Sequence, residues 1–297
     1  MRFFIILFLI FSGLGDAFAQ HPIDVQRQSA QGEHFSALVT YEKLPRRTVN
    51  AGAQLSAAKS AWALGLSQRA IEDFEEILRK YKLSPSEQAR IFLSRGMIEY
   101  QEGRYQVAAL YAEKLTTALK QESPLRSHGW FLWGESLFQL GSYGAAAQKY
   151  TSALSEADES SIPDIHFRLG RSHVLLGQLD EAKSHFEQIP LGHERTPEAI
   201  RHLAEIALDQ QQYAQASFWL TKGKEEYPDE FLDSWVDYAL VRVAHSQGDT
   251  EKMEQIREEA EKRYPPSDSW FTLLNASAEG SFWMRREETA ESNGEEQ

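Results

Sequence analysis

The nine histidines are the side chains of this sequence whose chemistry could support a metal site or acid–base catalysis. His166 and His173 lie seven residues apart, on one face of a predicted helix, and His202 follows in the next helical segment. A metal site formed by these three is one interpretation, but packing is the simpler one, because a zinc site needs at least three convergent ligands. The sequence has no HExxH pair, P-loop glycine string, nucleophile elbow or paired cysteines. We therefore expect no metal, no cofactor and no enzymatic activity.

The elements that must position any site are clearest in residues 127–154, SHGWFLWGESLFQLGSYGAAAQKYTSAL. Apolar residues recur there at three- and four-residue spacing on each side of a break at Gly141, which predicts two packed helices. Helix axes approach to about 8 to 10 Å only where some contact positions are small. We therefore expect Gly134 and Ala146 at the contact between the two helices.

This helix–turn–helix pattern returns along the chain. It is anchored on an alanine near the start of the second helix, which occurs at Ala70, Ala108, Ala146, Ala182 and Ala216, with Met253 in a degenerate sixth copy. Successive alanine anchors are 38, 38, 36 and 34 residues apart. The pattern W…WG…L…G-x-Y-x-x-A-x-x-x-Y-x-x-A resembles the tetratricopeptide repeat, a helix-turn-helix unit of about 34 residues. The resemblance implies an all-α, right-handed α-solenoid of about six repeats and a binding role.

The resemblance covers roughly residues 51–265. It divides this region into units of about 51–84, 85–122, 123–160, 161–195, 196–230 and 231–266. Three predicted helix starts agree with this division, because Ser84, Ser123 and Thr196 each stand before a proline as capping residues.

Four features of the sequence depart from the regular repeat pattern. Residues 20–50 lack a sustained helical stripe, so we expect a flexible leader, with the apolar island 35–41 as an alternative partner-binding element. Gln211 replaces the turn glycine of the fifth unit, so we expect a looser turn there. Residues 267–284 are predicted to form a capping helix, and residues 285–297 a disordered acidic tail.

The first 19 residues have the parts of a cleavable secretory signal. Met1-Arg2 gives a basic start, residues 3–14 an apolar run, and Ala17-Phe18-Ala19 a small-residue cleavage site. The run is shorter than the roughly 20 apolar residues that a membrane span needs. We expect a signal peptide over residues 1–19, cleavage after Ala19 and a periplasmic or secreted protein, with a retained membrane anchor as the alternative.

Composition narrows the choice of compartment and partner. The chain has no cysteine, which fits an oxidising compartment and excludes disulfides and thiolate metal sites. Its 31 lysines and arginines against 44 acidic residues give a net charge of −13. That charge argues against nucleic acid or an anionic lipid surface as the main partner.

The residues offset from the small contact positions of each first helix are expected to face the concave side of the solenoid. Aromatic and arginine side chains at such positions are the types that carry binding hot spots. Read in this way, the groove contains Tyr100, Phe131, Glu135, Phe138, Phe167, Arg171, Arg201, Tyr238 and Arg242. The alternative is that part of this stripe belongs to the core between repeats.

These observations predict a non-catalytic exported scaffold or adaptor, which binds a protein or peptide segment within a cell-envelope assembly, secretion or motility complex. Binding to peptidoglycan or an exported polysaccharide through the aromatic groove is the alternative. One tetratricopeptide subclass grips a peptide's terminal carboxylate with lysine, asparagine and arginine on its first helices. Leu93, Met97 and Phe131 stand in the corresponding places here, so the resemblance does not imply that specificity.

Overall fold

The structure is a computed structural model that describes residues 21–277. These residues form an all-α solenoid of helix pairs, in which the odd-numbered helix of each pair is called the first helix and the even-numbered helix the second. The helices are α1 (Pro22–Ala30), α2 (His34–Glu42), α3 (Ala51–Ala63), α4 (Ser67–Lys80), α5 (Pro85–Gln101), α6 (Tyr105–Ala118), α7 (Pro124–Gln139), α8 (Tyr143–Leu154), α9 (Ile162–Leu175), α10 (Leu179–Phe186), α11 (Thr196–Asp209), α12 (Tyr213–Glu226), α13 (Ser234–Ser246) and α14 (Thr250–Arg263). Residues 269–277 are also helical.

Two of the three predicted helix starts are confirmed. Ser84 and Glu87 form a reciprocal capping box at the start of α5, and the Ser123 hydroxyl accepts a hydrogen bond from the backbone N–H of Arg126 at 3.2 Å. The third prediction is wrong. Thr196 is the first residue of α11 and not its cap, because its hydroxyl donates to the carbonyl oxygen of Pro190 at 2.8 Å instead.

Each helix pair turns through one residue with positive φ, five positions before the anchor of its second helix. These residues are Gly32, Gly65, Gly103, Gly141, Gly177, Gln211 and Gly248. Gln211 adopts φ 59°, so the turn between α11 and α12 keeps the geometry of the others. The expectation of a looser turn is therefore wrong: the fifth predicted unit retains its shape and instead holds a non-glycine residue in a conformation that its Cβ disfavours.

The leader expected over residues 20–50 is instead an additional helix pair, α1 and α2, packed on α3. Val25 and Ala37 are completely buried in the same cluster as the residues of α3 and α4. Gly32 and Ala37 have the five-residue spacing of the other turns and anchors. The sequence prediction failed here because each helix has only nine residues, which is too short for a sustained stripe, and because α1 has few apolar positions.

Close helix contacts lie at the small residues predicted for the third unit. A Cβ atom added to Gly134 would lie 2.6 Å from Cε1 of Tyr150 in α8, so the close approach requires glycine. Ala146 is completely buried beside it, which confirms both positions. Met253 takes the place of the anchoring alanine in α14 and is buried against Phe271 and Leu274 of the helical residues 269–277.

Several predicted segments lie outside the described residues. These are the signal peptide over 1–19, the second half of the capping helix from 278 to 284, and the acidic tail 285–297. Within residues 21–277, none of the helices combines the length and the apolar character needed to cross a lipid bilayer.

Candidate functional site

A cavity of about 520 Å³ lies between the first helices α5 and α7. Its wall is mostly apolar and is formed by Leu93, Met97, Tyr100, Gln101, His128, Phe131, Leu132 and Glu135. Three of the predicted groove residues, Tyr100, Phe131 and Glu135, are thereby brought to one place. Successive first helices supply the two sides, which is the arrangement of a concave groove in a solenoid.

The cavity continues past α7. His128 and Phe131 also line a second cavity of about 310 Å³, together with Ser160, Ser161 and Asp164 at the start of α9. His128 was absent from the predicted site, although it lies seven residues before Glu135 and therefore on the same helix face. An extended ligand lying across α7 would contact both cavities.

Glu135 does not present a free charge to the groove. The residue is only 7% exposed; it accepts a hydrogen bond from the hydroxyl of Tyr150 at 2.5 Å and forms an ion pair with Nε of Arg168 at 2.9 Å. The Tyr100 hydroxyl also donates to it at 3.3 Å and accepts from Gln139 at 3.1 Å. Its assignment as a ligand-binding residue is corrected accordingly: it holds Tyr100 in place on the cavity wall.

The two tyrosines remain hydrogen-bond donors at any physiological pH. Burial raises the pKa of the Tyr150 hydroxyl far above its ordinary value, and the negative charge of Glu135 raises it further. Burial and Glu135 raise the pKa of Tyr100 in the same sense. Under the cavity, the Glu135 carboxylate is therefore shared by the hydroxyls of Tyr100 and Tyr150 and by the guanidinium of Arg168. These four residues lie on four different helices, so the network links them to one another.

Phe167 is a core residue, in contrast to its predicted place in the groove. It is only 1% exposed, and its ring lies 5.9 Å from that of Phe186. Ala199 and Leu203 of α11 pack in the same cluster. The equivalent residue Phe131 remains half-buried beside the cavity, whereas Phe167 is covered by Phe186 of α10 and by Ala199 and Leu203 of α11.

Phe138 and Arg171, both predicted groove residues, are in contact with each other. The guanidinium carbon of Arg171 in α9 lies 5.4 Å from the ring centroid of Phe138 in α7 and 5.9 Å from that of Phe167. Within residues 21–277, Arg171 has these aromatic contacts but no hydrogen bond or ion pair. The hydrogen-bonding capacity of its donors is therefore unused by the described part of the chain.

The other three predicted groove residues lie further along the solenoid. Arg201 is bound to Asp233 at 2.6 Å and to the carbonyl oxygen of Glu230, so it fastens α11 to the segment before α13. Tyr238 packs against Trp270, with ring centroids 5.3 Å apart. Arg242 donates to the carbonyl oxygen of Leu208 at 3.4 Å. Because these residues lie on α11 and α13, the structure does not bring the three into the cavity between α5 and α7.

Two of the three predicted histidines, His166 and His173, form a cluster, but its third member is His185 and not His202. Nδ1 of His166 lies 3.0 Å from Nδ1 of His185, and the ring of His173 stacks on His185 at 5.3 Å. His202 instead stacks on Phe186 at 4.9 Å. Burial, His166 and His173 lower the pKa of His185 to about 4. Across residues 21–277, no three potential ligands are arranged to hold a metal ion.

Comparison with known proteins agrees with this architecture. The tetratricopeptide repeat family model matches residues 55–118, 112–162 and 131–190. PilF of Pseudomonas aeruginosa is a similar solved structure, with a TM-score of 0.56 and 16% identity over 71% of this chain and 94% of that one. The C-terminal part of a TPR repeat-containing protein from Cytophaga hutchinsonii has a TM-score of 0.55 and 19% identity over 69% and 78% of the two chains.

A crystal structure of MamA has a TM-score of 0.51 and 15% identity, over 58% of this chain and 95% of that one. At these identities, the three structures show a shared fold alone. None of the curated protein sequences compared with the chain matches it. Tetratricopeptide repeats generally act as scaffolds for protein–protein interaction and are generally non-catalytic. The repeated turns and anchors, the stacked helix pairs and the family matches identify residues 55–190 as an array of tetratricopeptide repeats, with the same fold on either side of it.

Proposed function

We propose that this protein is a non-catalytic scaffold or adaptor that binds an extended segment of a protein partner across α5, α7 and α9. The observation that carries the proposal is the apolar cavity between the first helices α5 and α7, together with a second cavity that shares His128 and Phe131 with it. Burying one large apolar side chain in such a cavity contributes about 1.5 to 3 kcal/mol to binding.

The hydrogen bonds and the ion pair of Glu135 hold part of the cavity wall in a fixed conformation. Glu135 fixes the Tyr100 hydroxyl, and Arg168 neutralises the carboxylate. A wall whose side chains are already oriented loses little conformational entropy when the ligand arrives. This favours a specific docking surface over a gap left by imperfect packing.

We further propose that the protein is exported and works within an envelope-assembly, secretion or motility complex. The support is the basic start, apolar run and Ala17-Phe18-Ala19 of the N-terminus, together with the absence of cysteine. Intact-mass measurement of the protein from its native host should give a mature chain that begins at Gln20. A mass that includes Met1, found in the membrane fraction, would contradict this.

Site-specific photocrosslinking tests the binding site. Met97 on α5 and Val107 on α6 are 39% and 37% exposed, so both accept a small aliphatic photoreactive residue that does not fill the cavity, but only Met97 lines the cavity. We expect Met97 to capture one partner through a single short segment, and Val107 to capture none. Equal capture from both positions, or capture from Val107 alone, would place the binding surface outside the groove.

A further inference from the structure

We propose that the ligand segment carries a large apolar side chain and, about four residues from it, a carboxylate that binds Arg171. The apolar side chain enters the cavity between α5 and α7, and the carboxylate lies on α9. This inference rests on the proposed function, because it assigns a ligand chemistry to the same groove.

The first part of the inference concerns the apolar subsite. Leu93, Met97 and Phe131 form its wall, while Gln101 and His128 stand at its polar edge. Its one acidic residue, Glu135, is occupied by Arg168 and two tyrosine hydroxyls. Since a charged ligand group would find no unpaired partner of opposite sign in this cavity, the subsite selects an uncharged apolar side chain.

The second part concerns Arg171, which differs from the other arginines nearby. Three of them are already bound to carboxylates of the protein, in the pairs Arg168–Glu135, Arg195–Asp164 and Arg201–Asp233. Within the described part of the chain, Arg171 is held only by the rings of Phe138 and Phe167. Those rings contact the guanidinium but cannot accept its N–H hydrogen bonds, so the donors remain for a carboxylate, with which a guanidinium can form two parallel hydrogen bonds.

The third part is the spacing between the subsites. Neighbouring packed helices have axes about 8 to 10 Å apart, so α9 lies about 12 to 15 Å from the centre of a cavity between α5 and α7. An extended peptide rises about 3.3 Å per residue, which makes this distance about four residues. The equivalent concave position on the next first helix, α11, is Glu205, so the carboxylate is not expected further along the groove.

A random 12-residue peptide library displayed on phage, selected against the purified full-length chain, tests the inference. We expect enriched sequences to contain a large apolar residue with Asp or Glu three to five positions away. A synthetic peptide of this type should bind about tenfold more weakly once its acidic residue is changed to the corresponding amide. The Arg171→Gln protein should bind the acidic and amide peptides with the same reduced affinity, whereas the control Arg79→Gln, with the same charge change on α4, should behave as the wild type.

Met97→Trp, which fills the cavity from a partly exposed position, separates the two hypotheses. Peptides that lose binding to Met97→Trp but bind wild type and Arg171→Gln equally would overturn the carboxylate inference and leave the proposed function standing. Peptides whose affinity is unchanged by either substitution, or a selection that enriches no peptide, would count against both the carboxylate inference and the proposed function. Binding of purified peptidoglycan that depends on Met97 and not on Arg171 would also overturn the peptide inference.

Discussion

Replacing Gly134 with alanine should destabilise the solenoid although the change adds one methyl group. The new Cβ would lie 2.6 Å from Cε1 and 2.7 Å from Cδ1 of Tyr150, where ordinary contacts begin at 3.4 Å. The ring would therefore have to retreat by 0.8 Å, the difference between 3.4 and 2.6 Å. Tyr150 is completely buried, and its hydroxyl donates a hydrogen bond to Glu135 at 2.5 Å. The ring therefore cannot move without displacing its neighbours or weakening this hydrogen bond.

The magnitude follows from three terms. Overpacking a core contact costs about 1 to 3 kcal/mol. Weakening the hydrogen bond from Tyr150 to the Glu135 carboxylate adds about 1 kcal/mol, a part of its full value. Alanine regains about 1 kcal/mol because it favours the helical backbone more than glycine does. The free energy of unfolding should therefore fall by about 2 kcal/mol.

Gly144→Ala on the adjacent helix α8 is the matched control. No atom lies within 4 Å of a Cβ added there, so only the helical preference remains and stability should rise by about 0.5 to 1 kcal/mol. Urea unfolding followed by circular dichroism measures both variants, and midpoints are compared because repeat arrays need not unfold in two states. The packing argument is refuted if Gly134→Ala matches the wild type or shifts in the same direction as Gly144→Ala.

Three further predictions address the core, the turns and the histidine cluster. Phe74→Ala should lower the free energy of unfolding by about 3 to 5 kcal/mol, whereas Met97→Ala should change it by less than about 1 kcal/mol, as urea unfolding will show. Gln211→Gly should raise the melting temperature, since relief of about 1 to 2 kcal/mol of left-handed strain exceeds the added unfolded-state entropy; a lower value would contradict this. Because the pKa of His185 is depressed to about 4, its neutral form contributes stability above about pH 6.5 that is lost as the pH falls towards 4. His185→Gln should therefore reduce the loss of melting temperature between pH 7.5 and 4.5. The control His245→Gln, at an exposed position, should leave that loss unchanged.

Much of the fold was predictable because its signals are local. A turn residue and an anchor five positions later recur in each pair, and both can be read from the sequence without knowledge of the neighbouring unit. The pair α1 and α2 carries the same signal in Gly32 and Ala37, and a search by this spacing would have found it. The search by apolar stripe missed it because Val25 is the one completely buried large residue of α1.

The groove was only partly predictable, because helical periodicity shows which side of a helix a residue faces but not how deeply the neighbouring helices bury it. It placed Tyr100 and Phe131 correctly at the cavity. Phe167 has the same position on its helix as Phe131, but packing by α11 buries it. Glu135 was chosen as a ligand-binding charge, yet its partners come from three other helices and lie 15 to 35 residues away in sequence. Such long-range pairing leaves no local pattern.

The two arginines of α9 illustrate how the same helix can serve both the scaffold and the ligand. Arg168 and Arg171 are three residues apart and both point towards α7. At Arg168, the facing residue is the carboxylate of Glu135, so the charge is neutralised and contributes to packing between repeats. At Arg171, the facing residue is Phe138, whose ring orients the guanidinium but supplies no acceptor. A charge that the fold positions without neutralising is available to a partner, and for this reason we expect Arg171, and not Arg168, to select the ligand chemistry.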